Sequence, residues 1–345
     1  MKEQFNQWLK NAFFKQASDV HLTIGKAPIF RINGKLLEQE LPKLCPNDST
    51  KIVQSILPDE LWKKLESERE LDFSYGIPGI SRFRINTFYQ RGELSLAIRI
   101  IPTSIPSIEE LHLPPVSKEI VQQPQGLVLV TGPTGSGKST TLASMIDYMN
   151  QTMQKHIITL EDPIEYMHAH KQSIIDQREV GFDTNSFVNG LRSSLRQDPD
   201  VILVGELRDL ETISTAVTAA ETGHLVLGTL HTKDAVSTIQ RIIDVFPSEQ
   251  QTQIRIQLSS ILKSVISQRL LLTKHHNSRR VATEVLINTP AVKNLIRNDK
   301  LHQVQNVLQT SKEQGMHTLE MDLRRLMQED VISFETASPF MQERG

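Results

Sequence analysis

Residues 126–139 read GLVLVTGPTGSGKS, and the fold follows from them. Gly126 to Thr131 form a continuous apolar run, the kind of strand that a parallel sheet buries on both faces. The next eight residues, Gly132-Pro133-Thr134-Gly135-Ser136-Gly137-Lys138-Ser139, match the phosphate-loop pattern GxxxxGK[ST] in full. Glycines let successive backbone N–H groups turn inward around phosphate oxygens. A helix predicted over 138–150 points the positive end of its dipole at the same anion. Lys138 is expected to reach the β- and γ-phosphates and Ser139 to ligate Mg2+, with Thr140 closing the nucleotide-binding stretch. The chemistry implied is binding and hydrolysis of ATP.

Working outward, His156 to Leu160, Val201 to Val204 and His224 to Thr229 read as further buried strands. Helical segments at 138–150, 184–197 and 209–222 alternate with them. That alternation predicts an α/β domain with a parallel sheet. From about residue 248 onward the chain reads as helical. Upstream, Pro102, Pro106, Pro114 and Pro115, with Ser104 and Ser107, mark a linker. Before it lies a small α+β pattern. An amphipathic helix spans residues 3–16 (Phe5, Leu9, Phe13), and strands are predicted at Asp19 to Ile24 and Ile29 to Ile32, the latter ending in Asn33-Gly34. A helix follows at 48–66, then strands at Phe83 to Phe88 and Leu94 to Ile100, joined at Arg91-Gly92. The expected organisation is an N-terminal domain at 1–100, a linker at 101–115 and an ATPase domain at 116–345.

Composition narrows the class. The chain has 345 residues, more than one average domain needs, and 38% of them are hydrophobic. Its 38 basic and 40 acidic residues nearly cancel, and aromatics are only 5%, so a nucleic-acid partner is not expected. The sole cysteine, Cys45, cannot form an internal disulfide, fits a reducing cytosol and excludes a four-cysteine zinc site. The N-terminus lacks a signal peptide's apolar core, and no run of 18 apolar residues spans a membrane. Any membrane role is expected to be peripheral.

A nucleotide loop needs a metal partner and a group that activates water. Two acidic clusters qualify. Asp200-Val201-Ile202-Leu203-Val204-Gly205-Glu206 is a strand with Glu206 at its carboxyl end, where α/β sheets bind ligands. Glu206 suits magnesium or its water shell. Glu161-Asp162-Pro163-Ile164-Glu165 follows the strand 156–160 in the same way. His231, at the carboxyl end of its strand, is the better γ-phosphate sensor; His224, at the entry, reads as structural.

Taken together, the motifs resemble the ATPases that drive type II secretion and type IV pili. The phosphate loop, ITLEDPIEY (158–166), DPDVILVGELRD (198–209) and TGHLVLGTLHT (222–232) stand in that family's order and spacing. The resemblance extends to Ala17-Ser18-Asp19-Val20-His21-Leu22 and covers nearly the whole chain. Within the family it looks most like the retraction ATPases of twitching motility. The chain is short, lacks the tetracysteine motif and carries QREVG (177–181), AVKNLIR (291–297) and GMHTL (315–319). In the middle segment Lys293 stands where an arginine is usual, which keeps the charge but not the bidentate fork.

The resemblance implies a PAS-like first domain and a RecA-like second one with a helical C-terminal part. It implies that Glu165 polarises the attacking water, that Glu206 acts through magnesium and that His231 contacts the γ-phosphate. Arginines on the first domain's strands, Arg84 and Arg99 with Arg82 and Arg91 behind them, would reach the nucleotide. It further implies a homohexamer in the cytoplasm, held peripherally at the inner membrane by a pilus platform protein. The alternatives are an assembly ATPase of a competence or type II secretion pseudopilus and, more remotely, a nucleic-acid translocase.

Overall fold

A computed structural model describes residues 1–274 and 278–341. The chain divides into two compact units. One comprises residues 1–104 with Glu165–Met167, and the other residues 105–164 and the chain from His168 on.

In the first unit, a six-stranded antiparallel sheet has the order β3-β2-β1-β6-β5-β4. Its strands are β1 (Asp19–Leu22), β2 (Ile29–Ile32), β3 (Lys35–Glu38), β4 (Glu70–Ile77), β5 (Ser81–Gln90) and β6 (Glu93–Ile100). Period-two alternation is clearest in β5, where Phe83 and Ile85 are buried and Arg84 between them is exposed. The helix Lys2–Phe14 contributes Phe5, Trp8 and Leu9 to the core this sheet makes, and two further helices contribute Ile52, Val53 and Leu65. The single helix expected over 48–66 is in fact two, Pro46–Ile56 and Asp59–Glu68. Leu57 precedes Pro58, whose ring disfavours helical backbone in the residue before it, and Leu57 is accordingly extended.

The second unit is built on a seven-stranded sheet ordered β13-β12-β7-β11-β10-β8-β9. These strands are β7 (Gly126–Thr131), β8 (His156–Glu161), β9 (Ile174–Glu179), β10 (Val201–Val204), β11 (Leu225–Leu230), β12 (Leu262–Leu272) and β13 (Arg279–Ile287). Every neighbouring pair is parallel except β12 with β13. All six residues of β7 are buried, as a strand covered on both faces requires. Helices Lys138–Thr152, Phe187–Ser194, Leu210–Glu221 and Ala235–Asp244 contribute buried residues to the two clusters that flank the sheet. The proline-rich stretch is partly structured, with Ile108 and Leu113 buried against Val281.

The expectation of helix from residue 248 onward is corrected. Only Ser248–Ile261 is helical before the chain enters the β12–β13 hairpin, and helices resume at Pro290. LKSVISQRLLL is rich in leucine and carries no turn signal at its start, so periodicity does not separate it from a buried helix. Pairing with β7 decides the matter by giving its backbone a ladder.

The helix that follows the phosphate loop also anchors a strap formed by residues 168–173. Asn150 donates to the Ala169 carbonyl at 2.6 Å and accepts from the Lys171 amide at 3.0 Å, while Asp147 pairs with Lys171 Nζ at 2.6 Å. His168 is largely buried there, and burial pushes its imidazole down to about 4. An unfolded chain protonates this residue near pH 6.5, so the folded state loses stability as pH falls from about 6.5 towards 4. His168→Gln removes that proton uptake. Its unfolding midpoint is expected to drop less between pH 6.5 and pH 5 than the parent's, as measured by denaturant titration.

Candidate functional site

The phosphate loop leaves β7 at Thr131 and enters the helix Lys138–Thr152 through Gly137, which has φ 89° and leaves the helix start without a side-chain cap. The first-turn N–H groups are therefore available to an anion. Gly132 has φ 146°, and a Cβ built there would lie 2.5 Å from the Gln268 carbonyl oxygen and 2.7 Å from Ser136 Oγ. Only glycine fits. Lys138 folds back on its own loop, donating to the Gly132 carbonyl at 2.8 Å and to the Pro133 carbonyl at 3.1 Å.

Because β7, β11, β10 and β8 are parallel, their carboxyl ends share one edge, and the boxes that follow them meet there. Glu206 follows β10 and His231 follows β11. His231 Nε2 lies 3.2 Å from Glu206 Oε1, and Arg208 hydrogen-bonds Glu206 Oε2 at 2.6 Å. Partial burial opposes ionisation of Glu206. The Arg208 hydrogen bond and charge, together with His231 and Lys138, outweigh it and hold the carboxyl below its ordinary range. Arg208 was not among the sequence candidates. It lies two residues beyond Glu206, in an element with no periodicity to mark which way it points.

Glu161, in the first acidic box, accepts from Thr159 Oγ1 at 2.7 Å and from Gln177 Nε2 at 3.2 Å. Glu165 is exposed and belongs, with Tyr166 and Met167, to the first unit. Arg84 and Arg99 are also in that unit. They stand directly opposite one another on β5 and β6, exposed, with Arg99 3.2 Å from Asp19 and Arg84 3.8 Å from Asp72. His224 is structural, its Nδ1 donating to the Ala219 carbonyl at 2.9 Å at the end of the helix Leu210–Glu221. At the opposite edge of the sheet, Asp200 holds the start of β8 through the His156 amide at 2.9 Å and Lys155 Nζ at 3.0 Å. Lys293 lines a cleft of about 680 Å³ with Lys263 and Arg297.

Among the described residues no group of three or more His, Cys, Asp or Glu is placed to hold a metal, and no helix is long and apolar enough to cross a membrane. A cation held jointly by substrate phosphates needs only one or two protein ligands. The Ser139 hydroxyl at the helix start and the ionised Glu206 fit that arrangement.

Fold and site thus define a P-loop nucleotide-binding protein. Residues 1–336 match the family described as "Type II/IV secretion system protein", and the chain belongs to that family. It is 49% identical, over 93% of both chains, to the "Type IV pilus retractation ATPase PilT" of Pseudomonas aeruginosa. It is 48% identical to a "Twitching motility protein" of Neisseria gonorrhoeae, covering 90% of this chain and 83% of that one. Among solved structures it resembles the pilus retraction motor PilT with bound ADP, at a TM-score of 0.90 and 50% identity, covering 98% of this chain and 97% of that one.

Gly132→Ala places a methyl group where a carbonyl oxygen already lies. The variant is expected to lose binding of a fluorescent ATP analogue, at least tenfold in Kd, in a fluorescence titration.

Proposed function

We propose that this chain is the ATPase motor of type IV pilus retraction, converting ATP and water to ADP and phosphate and using the cycle to draw pilin subunits out of the fibre base. The observation that carries the reading is the convergence of Lys138, Glu206 and His231 on an uncapped helix start. It occurs in a chain that matches a pilus retraction ATPase over nearly its full length.

In this reading Lys138 leaves the Gly132 and Pro133 carbonyls for the β- and γ-phosphates. The backbone N–H groups of 132–140 surround the phosphate oxygens. Ser139 and Glu206 would hold Mg2+, which would supply positive charge beside the transferring phosphoryl group. His231, held against Glu206, faces the γ-phosphate. Glu165 polarises the water, and Arg84 and Arg99 supply cationic charge from outside the loop. Six copies form a cytoplasmic ring that acts on an inner-membrane platform protein.

Deletion of the gene in its source organism tests the output. Excess pili that no longer retract, with surface motility lost, are expected; absent pili would assign the chain to assembly instead. Complementation with Glu165→Gln is expected to leave motility lost while the purified variant still binds ATP and its turnover falls by orders of magnitude. Unchanged turnover would remove Glu165 from its role.

Arg208→Ala withdraws the strongest support for the ionised form of Glu206. The carboxyl then titrates at higher pH, and the acidic limb of the kcat/KM profile is expected to move upward in pH.

A further inference from the structure

Strand β12 runs parallel to β7 and outlasts it. Ser267 pairs with Thr131, the last residue of β7, so Gln268 stands beside the phosphate loop as that loop leaves the sheet. Gln268 is 1% exposed. Its carboxamide Nε2 donates to the Ser136 carbonyl at 2.6 Å, and its Oε1 accepts from Thr141 Oγ1 at 3.0 Å. Its main-chain carbonyl fills the space a side chain at Gly132 would need, and Nε2 lies 3.3 Å from where a Cβ at Gly137 would be. One residue therefore meets the loop at its entry, on its arc and on the helix it feeds.

This contact answers a need that the loop creates. Backbone that turns its N–H groups inward around an anion turns carbonyls outward. The outward Ser136 carbonyl lies against a buried side chain, where an acceptor left unsatisfied is destabilising. A carboxamide supplies the donor for Ser136 and, from the same planar group, the acceptor for Thr141. Gln268 is itself fixed. Arg269, also buried, donates to the Gln268 carbonyl at 3.1 Å and to the Lys233 carbonyl at 3.3 Å, and Ser267 Oγ hydrogen-bonds Thr131 Oγ1 at 2.8 Å.

We propose that Gln268 is a positioning residue for nucleotide binding. Acting through the Ser136 carbonyl and Thr141, it holds the phosphate loop in the conformation that receives phosphates. This rests on the reading of residues 132–140 as the nucleotide loop. Gln268 touches no reacting atom, so its loss weakens binding more than it slows the bond-breaking step.

Gln268→Met keeps length and approximate volume but removes both hydrogen bonds. Gln268→Glu keeps the acceptor for Thr141 and sets a carboxylate against the Ser136 carbonyl. The full chain and both variants are compared by melting temperature without nucleotide, by Kd for a fluorescent ADP analogue, and by KM and kcat for ATP. For Gln268→Met, Kd and KM are expected to rise about tenfold, which is about 1.4 kcal/mol, with kcat within about threefold of the parent and the nucleotide-free melting temperature lowered by a few degrees. Gln268→Glu is expected to bind more weakly still. Parent-like Kd in either variant overturns the proposal, as does a kcat loss that exceeds the KM rise. Lys138→Ala is measured alongside. If it binds as the parent does, the nucleotide-loop reading fails and takes this one with it. A weakened Lys138→Ala beside a parent-like Gln268→Met overturns the role of Gln268 alone.

Discussion

An anion can be held by bare backbone only where no side chain occupies the centre of the turn and every outward carbonyl finds a partner. That constraint runs through the second unit. It makes Gly132 a glycine, because the Gln268 carbonyl lies where its Cβ would be. It leaves the start of the helix Lys138–Thr152 without a side-chain cap. It also requires a neighbouring strand longer than β7, so that a donor stands beside the loop after the sheet's own ladder has ended. Lys138 donates to two of the loop's own carbonyls, which keeps a partly buried charge hydrogen-bonded.

The parallel sheet sorts charge by edge. At the carboxyl edge Glu206 faces Arg208, His231 and Lys138, a set of basic side chains that suits a polyphosphate. At the amino edge, Asp200, Lys155, His156 and Asp176 pair among themselves. These contacts secure the entries of β8 and β10. Both ends of the DPDVILVGEL segment are acidic, but a strand's direction in a parallel sheet gives the two carboxylates different work.

In the first unit the antiparallel sheet puts its apolar residues on one face and a row of charge on the other. Arg31 pairs with Asp19, Asp19 with Arg99, and Arg99 with Arg84, each directly opposite the next across four strands. The alternation that buries Phe83 and Ile85 also presents Arg84. Asp19 lies between two arginines at 3.6 and 3.2 Å, which keeps neighbouring guanidinium groups on one exposed face from repelling one another unopposed.

The sequence by itself determined the phosphate loop, the strands β7, β8, β10 and β11 with the helices between them, and the boxes at their carboxyl ends. Each depends on local chemistry: a fixed glycine spacing, a run of apolar residues long enough for one buried strand, a carboxylate or imidazole just past it. The hairpin arginines were legible for the same reason, since period two and an intervening turn are local. Only the tertiary structure decided that Leu262–Leu272 and Arg279–Ile287 are paired strands rather than helix, that Arg208 supports Glu206, and that Gln268 braces a loop more than 130 positions away along the chain. A leucine-rich segment satisfies either backbone until a partner strand fixes its hydrogen bonds. A glutamine carries no role until the fold brings an unpaired carbonyl to its amide.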